Sequence, residues 1–230
     1  MNRNMKKKIE YVENFELSYY SGWINELENW DQWYLYWHQA SLVQRHIDKQ
    51  QKLIEVGPGT GFLSNYLNSR GWKCKTIDID PEKKPDYVAE LTSVDFASLG
   101  VNSVLAFEVF EHLPFPLFEK VIRHLSEAGV KKILFSVPWG IKQIAELHLQ
   151  LPKIKTISLH ASIQKRKIKT PTHFWELGRR ITTKETVLNG KEKGFINIEE
   201  LKETFYNNGF FFLELKKVGK IQFFVASLDL

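Results

Sequence analysis

From Gln51 onward, short apolar runs alternate with segments whose apolar residues recur every three or four positions. "KLIEV", "WKCKTIDID", the weaker "DYVAEL", "VNSVLAFEVF" and "KKILFSVP" read as strands. "FLSNYLNSRG" and "PLFEKVIRHLSEAG" read as helices, each closed by a glycine, the residue that most easily turns left-handed past a helix end. Leu117, Val121, Leu125 and Ala128 fall on one side of the second. Strands joined by helices predict a parallel sheet with right-handed crossovers. Farther on, "NIEELKETFYNNG" predicts a helix with Asn197 as N-cap, Glu200 at the capping-box position and Gly209 as its stop. "FFFLEL" and "IQFFVASL", joined by "KKVGK", predict an antiparallel hairpin.

The flanks are less regular. Residues 1–50 read as helical: Trp23, Leu27, Trp30, Tyr34 and Trp37 recur at three- and four-residue steps and make one aromatic face. Such a face is expected to pack on the main domain, or to close over a ligand as a lid. Residues 139–181 show no clean sheet pattern and are expected to form an insertion with helical pieces. The division that follows is a single domain over 1–230: a helical cap (1–50), a core (51–138), the insertion (139–181), then the C-terminal helix and hairpin (182–230). A length of 230 residues suffices for a substantial core.

Composition narrows the class. The chain is 43% hydrophobic and 26% charged, ordinary for a globular protein, and its one cysteine, Cys74, excludes an internal disulfide and a cysteine-rich zinc site. No apolar signal region and no run of 18 apolar residues are present, so a cytoplasmic location without a membrane span is expected. The net charge is +5, and the stretch from Pro152 to Lys169 is basic without one acidic residue. That charge serves solubility or an anionic partner.

The chemistry lies in "LIEVGPGTGFLSNYL", a strand running into a glycine-rich turn and then a helix. Glycines permit positive φ and close backbone approach, and the next helix offers free N–H donors. A dinucleotide fingerprint fails, because Phe62 or Ser64 stands where the last glycine is required, and no phosphate-loop Gly-Lys-Ser/Thr follows. Glu55, two positions before Gly57, suits a ligand with an ammonium group rather than a pyrophosphate. Asp78, at the tip of the second strand, is placed to accept hydrogen bonds from ribose hydroxyls.

"LIEVGPGTG", "TIDIDPE" and "LAFEVFEHLP", in that order and spacing, resemble the class I S-adenosylmethionine-dependent methyltransferases. The resemblance covers about residues 50–138, and 195–230 by architecture. It implies an α/β fold: a Rossmann-like, mostly parallel seven-stranded sheet finished by the C-terminal hairpin. S-adenosyl-L-methionine is the implied cofactor. Gly57, Pro58, Gly59 and Gly61 would form the turn under its methionine portion, with Glu55 anchoring the ammonium. Asp78 would bind the ribose, Ile79 and Leu91 (or Glu90) would border the adenine, and Phe107 and Glu108 would lie near the sulfonium.

On the acceptor side, His112 could take a proton from the acceptor with Glu111 beside it, or both could brace the following helix. "PTHFWELGRR" offers His173, Trp175 and Glu176 as a substrate pocket, His173 and Glu176 sharing a face if the segment is helical. The spacing of His148, His160, His173 and Glu176 matches no regular metal pattern, so no metal is expected. The expected function is methyl transfer to a small molecule, a glycan or a lipid precursor. An RNA acceptor tracked by the basic insertion ranks second; a catalytically inactive cofactor-binding scaffold ranks third, disfavoured by the intact glycines and Asp78.

Overall fold

The computed structural model describes residues 7–12, 15–20, 29–147, 161–166, 172–178, 187–188, 191–192 and 194–229. Seven strands form the central sheet: β1 (Lys52–Val56), β2 (Lys73–Asp78), β3 (Tyr87–Val88), β4 (Ser103–Phe107), β5 (Lys132–Pro138), β6 (Phe211–Val218) and β7 (Ile221–Ser227). Their order is 6-7-5-4-1-2-3, with β7 antiparallel to both neighbours and the remaining pairs parallel. This is the predicted Rossmann-like sheet with its terminal hairpin. The order reverses between β1 and β4, which opens a crevice at their carboxyl ends.

Helices cover both faces. Leu117, Val121 and Leu125 of α4 (Phe115–Glu127) join Leu201 and Phe205 of α5 (Ile198–Tyr206) over Val104, Ile133 and Phe135. On the other face α1 (Trp30–His46) and α2 (Phe62–Ser69) bury Val43, Leu63 and Leu67 against Leu53, Leu105 and Phe223. The Asn197 cap is formed as expected, its Oδ1 accepting from the Glu200 N–H at 2.7 Å. A four-residue helix, α3 (Phe96–Leu99), fills the link between β3 and β4.

Two expectations are corrected. The helical reading of residues 1–50 holds for α1 but fails earlier, where Lys7–Val12 and Phe15–Tyr20 pair as an antiparallel ribbon. Ile9, Tyr11, Leu17 and Tyr19 supply a period of two there, which favours strands. The aromatic stripe is not the packed face of α1: Trp30 is 81% and Trp37 60% exposed, whereas Tyr36, Ala40, Val43 and Ile47 are buried. Those four positions form a second stripe, mostly aliphatic and small, that fits closely on the sheet. Trp23 and Leu27 lie outside the described residues.

The helical pieces expected in the insertion are likewise absent among its described residues. Ile141–Leu147 pairs antiparallel with Ala161–Arg166, and Trp175–Leu177 pairs parallel with Gly194–Ile196. The latter pair is tied to the core through a bridge between Trp139 and Leu177. No helix among the described residues is long and apolar enough to cross a membrane.

Candidate active site

The turn after β1 uses its glycines as the sequence implied. Gly57, Gly59 and Gly61 have φ of 64°, 56° and 72°, a region that other residues enter only with strain. Gly57 also lacks room for a side chain, since a Cβ there would lie 2.8 Å from a methyl of Val109 in the loop after β4. The Gly57 N–H donates to Ile77 O at 2.9 Å, and Gly61 N–H to Pro58 O at 2.8 Å, fixing the turn beside the tip of β2.

Glu55 is buried beneath this turn, and its carboxylate accepts from the Ser64 N–H at 3.0 Å. It therefore satisfies one of the free donors at the start of α2. Burial pushes its pKa up to about 7, against the lowering effect of the Ser64 hydrogen bonds. Asp78 ends β2, buried, with Oδ1 accepting from the Asp80 N–H at 2.9 Å and Oδ2 paired with Lys83 Nζ at 2.9 Å. A ribose would share this carboxylate with the lysine or displace it. Ile79 is partly buried beside it, and Leu91 is buried at the start of a one-turn helix, Leu91–Ser93, capped by Glu90. Phe107 ends β4, and Glu108 follows with φ of 55°, unusual for a residue with a side chain.

Beyond Glu108 the chain makes one tight turn, Phe110–His112, and meets the segment 172–178. Phe174 N–H donates to Glu111 O at 2.8 Å, and Trp175 Nε1–H to Leu113 O at 3.0 Å. These bonds set His112 against His173, ring centroids 4.9 Å apart at 90°. His112 Nδ1 donates to Thr172 O at 3.2 Å, and His173 Nδ1 lies 2.8 Å from Glu176 Oε1. Burial, and then His173, push the His112 pKa down to about 3. Burial, with Glu108 next, holds the Glu111 carboxyl well above the usual range, and burial also raises Glu108.

His173 and Glu176 do meet, but through an extended segment and not on the helix that the expectation required. Trp175 is a correction: it is 2% exposed and packed on Phe115 and Phe118, so its ring belongs to the core and offers no wall to a substrate. The sequence reading missed three participants. Tyr36 of α1 bonds Thr60 Oγ1 at 3.1 Å and packs its ring on Phe62 at a tilt of 32°, placing the helix beside the glycine turn. Lys83 holds Asp78, and Val109 fills the space above Gly57. Tyr36 was visible only as a member of the second, sheet-facing stripe.

A sequence profile described as "Methyltransferase domain" matches residues 36–140. The ribosomal RNA small subunit methyltransferase A of Streptococcus pneumoniae (strain Hungary19A-6) is 26% identical over 135 residues, covering 51% of this chain and 46% of that protein. The protein of the same name from Mesoplasma florum is 32% identical over 96 residues, 41% of this chain and 32% of its own. The chain thus spans less than half the length of either relative. Among solved structures, the 1,6-didemethyltoxoflavin-N1-methyltransferase of Burkholderia thailandensis, with S-adenosylhomocysteine bound, aligns over 90% of this chain and 84% of its own. Its TM-score is 0.55 at 10% identity. Magnesium protoporphyrin IX methyltransferase of Synechocystis PCC 6803 aligns over 86% and 83%, with a TM-score of 0.52 at 11% identity. The strand order, the left-handed glycines and the acid at the tip of β2 agree with that match: residues 36–140 match a methyltransferase domain, and the chain has the Rossmann-like fold of these structural neighbours.

Proposed function

We propose that the protein transfers the methyl group of S-adenosylmethionine to a small-molecule, glycan or lipid-precursor acceptor. The observation that supports this most is the convergence of the three left-handed glycines, Asp78 and the end of β4 on one edge of the sheet. Gly57 and Gly59 would hold the methionine portion, with Glu55 anchoring its ammonium. Asp78 would bind the ribose, and Ile79 and Leu91 would border the adenine. Phe107 and Glu108 would lie near the sulfonium.

Transfer is an in-line displacement. A lone pair of the acceptor forms a bond to the methyl carbon, the carbon–sulfur bond breaks, and sulfur leaves with the bonding pair as a neutral thioether. The protein's main contribution is to hold the two reacting atoms about 3–3.5 Å apart and aligned. His112 and His173 are the polar groups proposed to meet the acceptor, with Glu176 orienting His173 and Glu111 buried behind them. The Nδ1 of His112 is occupied by Thr172 O, so its Nε2 lone pair is the atom available to accept the acceptor's hydrogen bond. With its pKa lowered to about 3, the imidazole positions an acceptor better than it removes a proton.

Both structural neighbours named above are, by name, methyltransferases of small molecules, in keeping with this choice. The second reading, an RNA acceptor, draws on the ribosomal RNA methyltransferase relatives and on the basic stretch Pro152 to Lys169. Against it, β4 is followed by "EVFEHL" rather than an "NPPY"-like tetrapeptide typical of enzymes that methylate amino groups of nucleic acids.

The decisive experiment is incubation with methyl-labelled S-adenosylmethionine and either fractionated metabolites or total RNA, with Asp78→Ala as control. Label is expected in a metabolite fraction, whereas incorporation only into RNA would select the second reading. Label in neither fraction, with the cofactor still bound, would select the inactive scaffold. By calorimetry Asp78→Ala is expected to weaken S-adenosylhomocysteine binding by roughly 1–3 kcal/mol, the cost of unpaired buried polar groups. Unchanged affinity would remove the ribose assignment.

A further inference from the structure

Glu111, His112 and His173 each offer one ligand atom, and the three atoms lie within 4.8 Å of one another. Two features make the group more than a chance meeting of polar residues. Each imidazole has its Nδ1 engaged by an oxygen, Thr172 O for His112 and Glu176 Oε1 for His173. A carbonyl or carboxylate oxygen there fixes the tautomer with the proton on Nδ1, so both Nε2 atoms keep their lone pairs. Moreover, neither carboxylate oxygen of Glu111, a fully buried residue, has a hydrogen-bond partner among the described residues.

A buried carboxyl without a hydrogen-bond partner and two imidazoles thus meet in one small space, where a cation or a proton is needed between them. The charges that act on the cluster are Glu108 and Glu176 on Glu111, and Lys83, more weakly, on His112. A buried polar group without a partner is costly, and an ion or proton must answer it. The carboxylate–histidine contact of Glu176 with His173 is the arrangement that orients imidazoles bound to metals.

We propose that Glu111, His112 and His173 form a binding site for one divalent first-row cation such as Mn2+, Fe2+, Co2+ or Zn2+. Two imidazoles and one carboxylate suit these ions better than Mg2+ or Ca2+, which take oxygen ligands. Bonds of about 2.0–2.2 Å require the three atoms to draw together by roughly an ångström, a side-chain adjustment rather than a backbone one. Three protein ligands leave open positions on the ion. The spacing of His148, His160, His173 and Glu176 had suggested no metal; His148 and His160 lie outside the described residues. The group found here pairs His173 with a histidine 61 positions earlier, brought close only by the fold.

The next step alone rests on the methyl-transfer reading. A cation held by these three residues would keep a position for the acceptor, whose bound hydroxyl oxygen would lose its proton to solvent more readily and then attack the methyl carbon. His112 would then serve as a ligand, with the cation taking over the activation of the acceptor.

The test is titration of the full-length, chelator-treated protein with Co2+, followed by visible absorption, and with Mn2+, followed by electron paramagnetic resonance. One cation per chain is expected, with a Co2+ spectrum showing nitrogen ligation. His112→Ala and His173→Ala should lose at least 100-fold in affinity, and Glu176→Gln, which disturbs only the orienting contact, 10- to 100-fold. His124→Ala, on α4, should bind as the unaltered protein does. Glu111→Gln, of the same size, decides the matter if a histidine variant does not fold. Absence of a bound cation, or affinity unaffected by Glu111→Gln, would overturn the proposal. S-adenosylhomocysteine binding measured on the same metal-free protein separates the two ideas: cofactor bound without any metal site sinks only the cation.

Discussion

Glu55 answers to two environments. In the free protein it is buried beneath the glycine turn with a pKa of about 7, so ionising it costs stability. An acid whose folded pKa exceeds its unfolded value of 4.5 contributes stability that is fully present below about pH 4.5 and is lost as pH rises through 7. A shift of that size corresponds to about 3 kcal/mol. Glu55→Gln is therefore expected to flatten the fall in stability between pH 4.5 and 7, measured by urea unfolding at a series of pH values. The same change should weaken S-adenosylhomocysteine binding if the ammonium meets this carboxylate. A slope that survives the substitution would assign the titration to another group. At this scale the sequence was most legible where chemistry is tied to a local pattern: the glycine turn, Glu55 and Asp78 can be picked out from spacing. Lys83 on Asp78 and Val109 above Gly57 could not, because ordinary residues acquire those roles only through contacts made in the folded chain.

Among elements, the strands of the sheet were legible because their period and length are set by burial on both faces, and β1 matches "KLIEV" residue for residue. The first fifty residues were not. Helix α1 carries two stripes, and the larger, aromatic one drew the reading although the smaller residues fit the sheet. The insertion hides its pairing for another reason: Trp175, Glu176 and Leu177 are all buried, so the strand shows no alternation to read. That strand is seated by Gly140, where a Cβ would come within 1.9 Å of the Phe195 ring, while the Gly140 N–H donates to Leu177 O at 2.9 Å. Gly140→Ala is accordingly expected to lower stability by 1–3 kcal/mol, the usual cost of overpacking. It should also displace His173 from His112. Histidine ring resonances recorded by nuclear magnetic resonance would report the second effect; unchanged resonances would show that the strand is held independently of Gly140.

For the whole molecule, the order 6-7-5-4-1-2-3 brings the proposed cofactor residues to the carboxyl ends of neighbouring strands and the turns that follow them. A ligand that binds only the folded protein stabilises it by about 2.7 kcal/mol at 100 times its dissociation constant. For a chain of this size that is a rise of about 5–10 °C in the unfolding midpoint. S-adenosylhomocysteine is expected to produce it, and a nicotinamide dinucleotide is not, because the turn lacks the final glycine that cofactor requires. Differential scanning calorimetry with each compound makes the comparison, and an equal rise with both would remove the distinction.

The close approach of Gly57 and Val109 ties two loops together. One residue belongs to the glycine turn proposed to hold the cofactor; the other sits two positions before Glu111 in the chain. A side chain at position 57 would have to displace that valine methyl, so each loop limits what the other can carry.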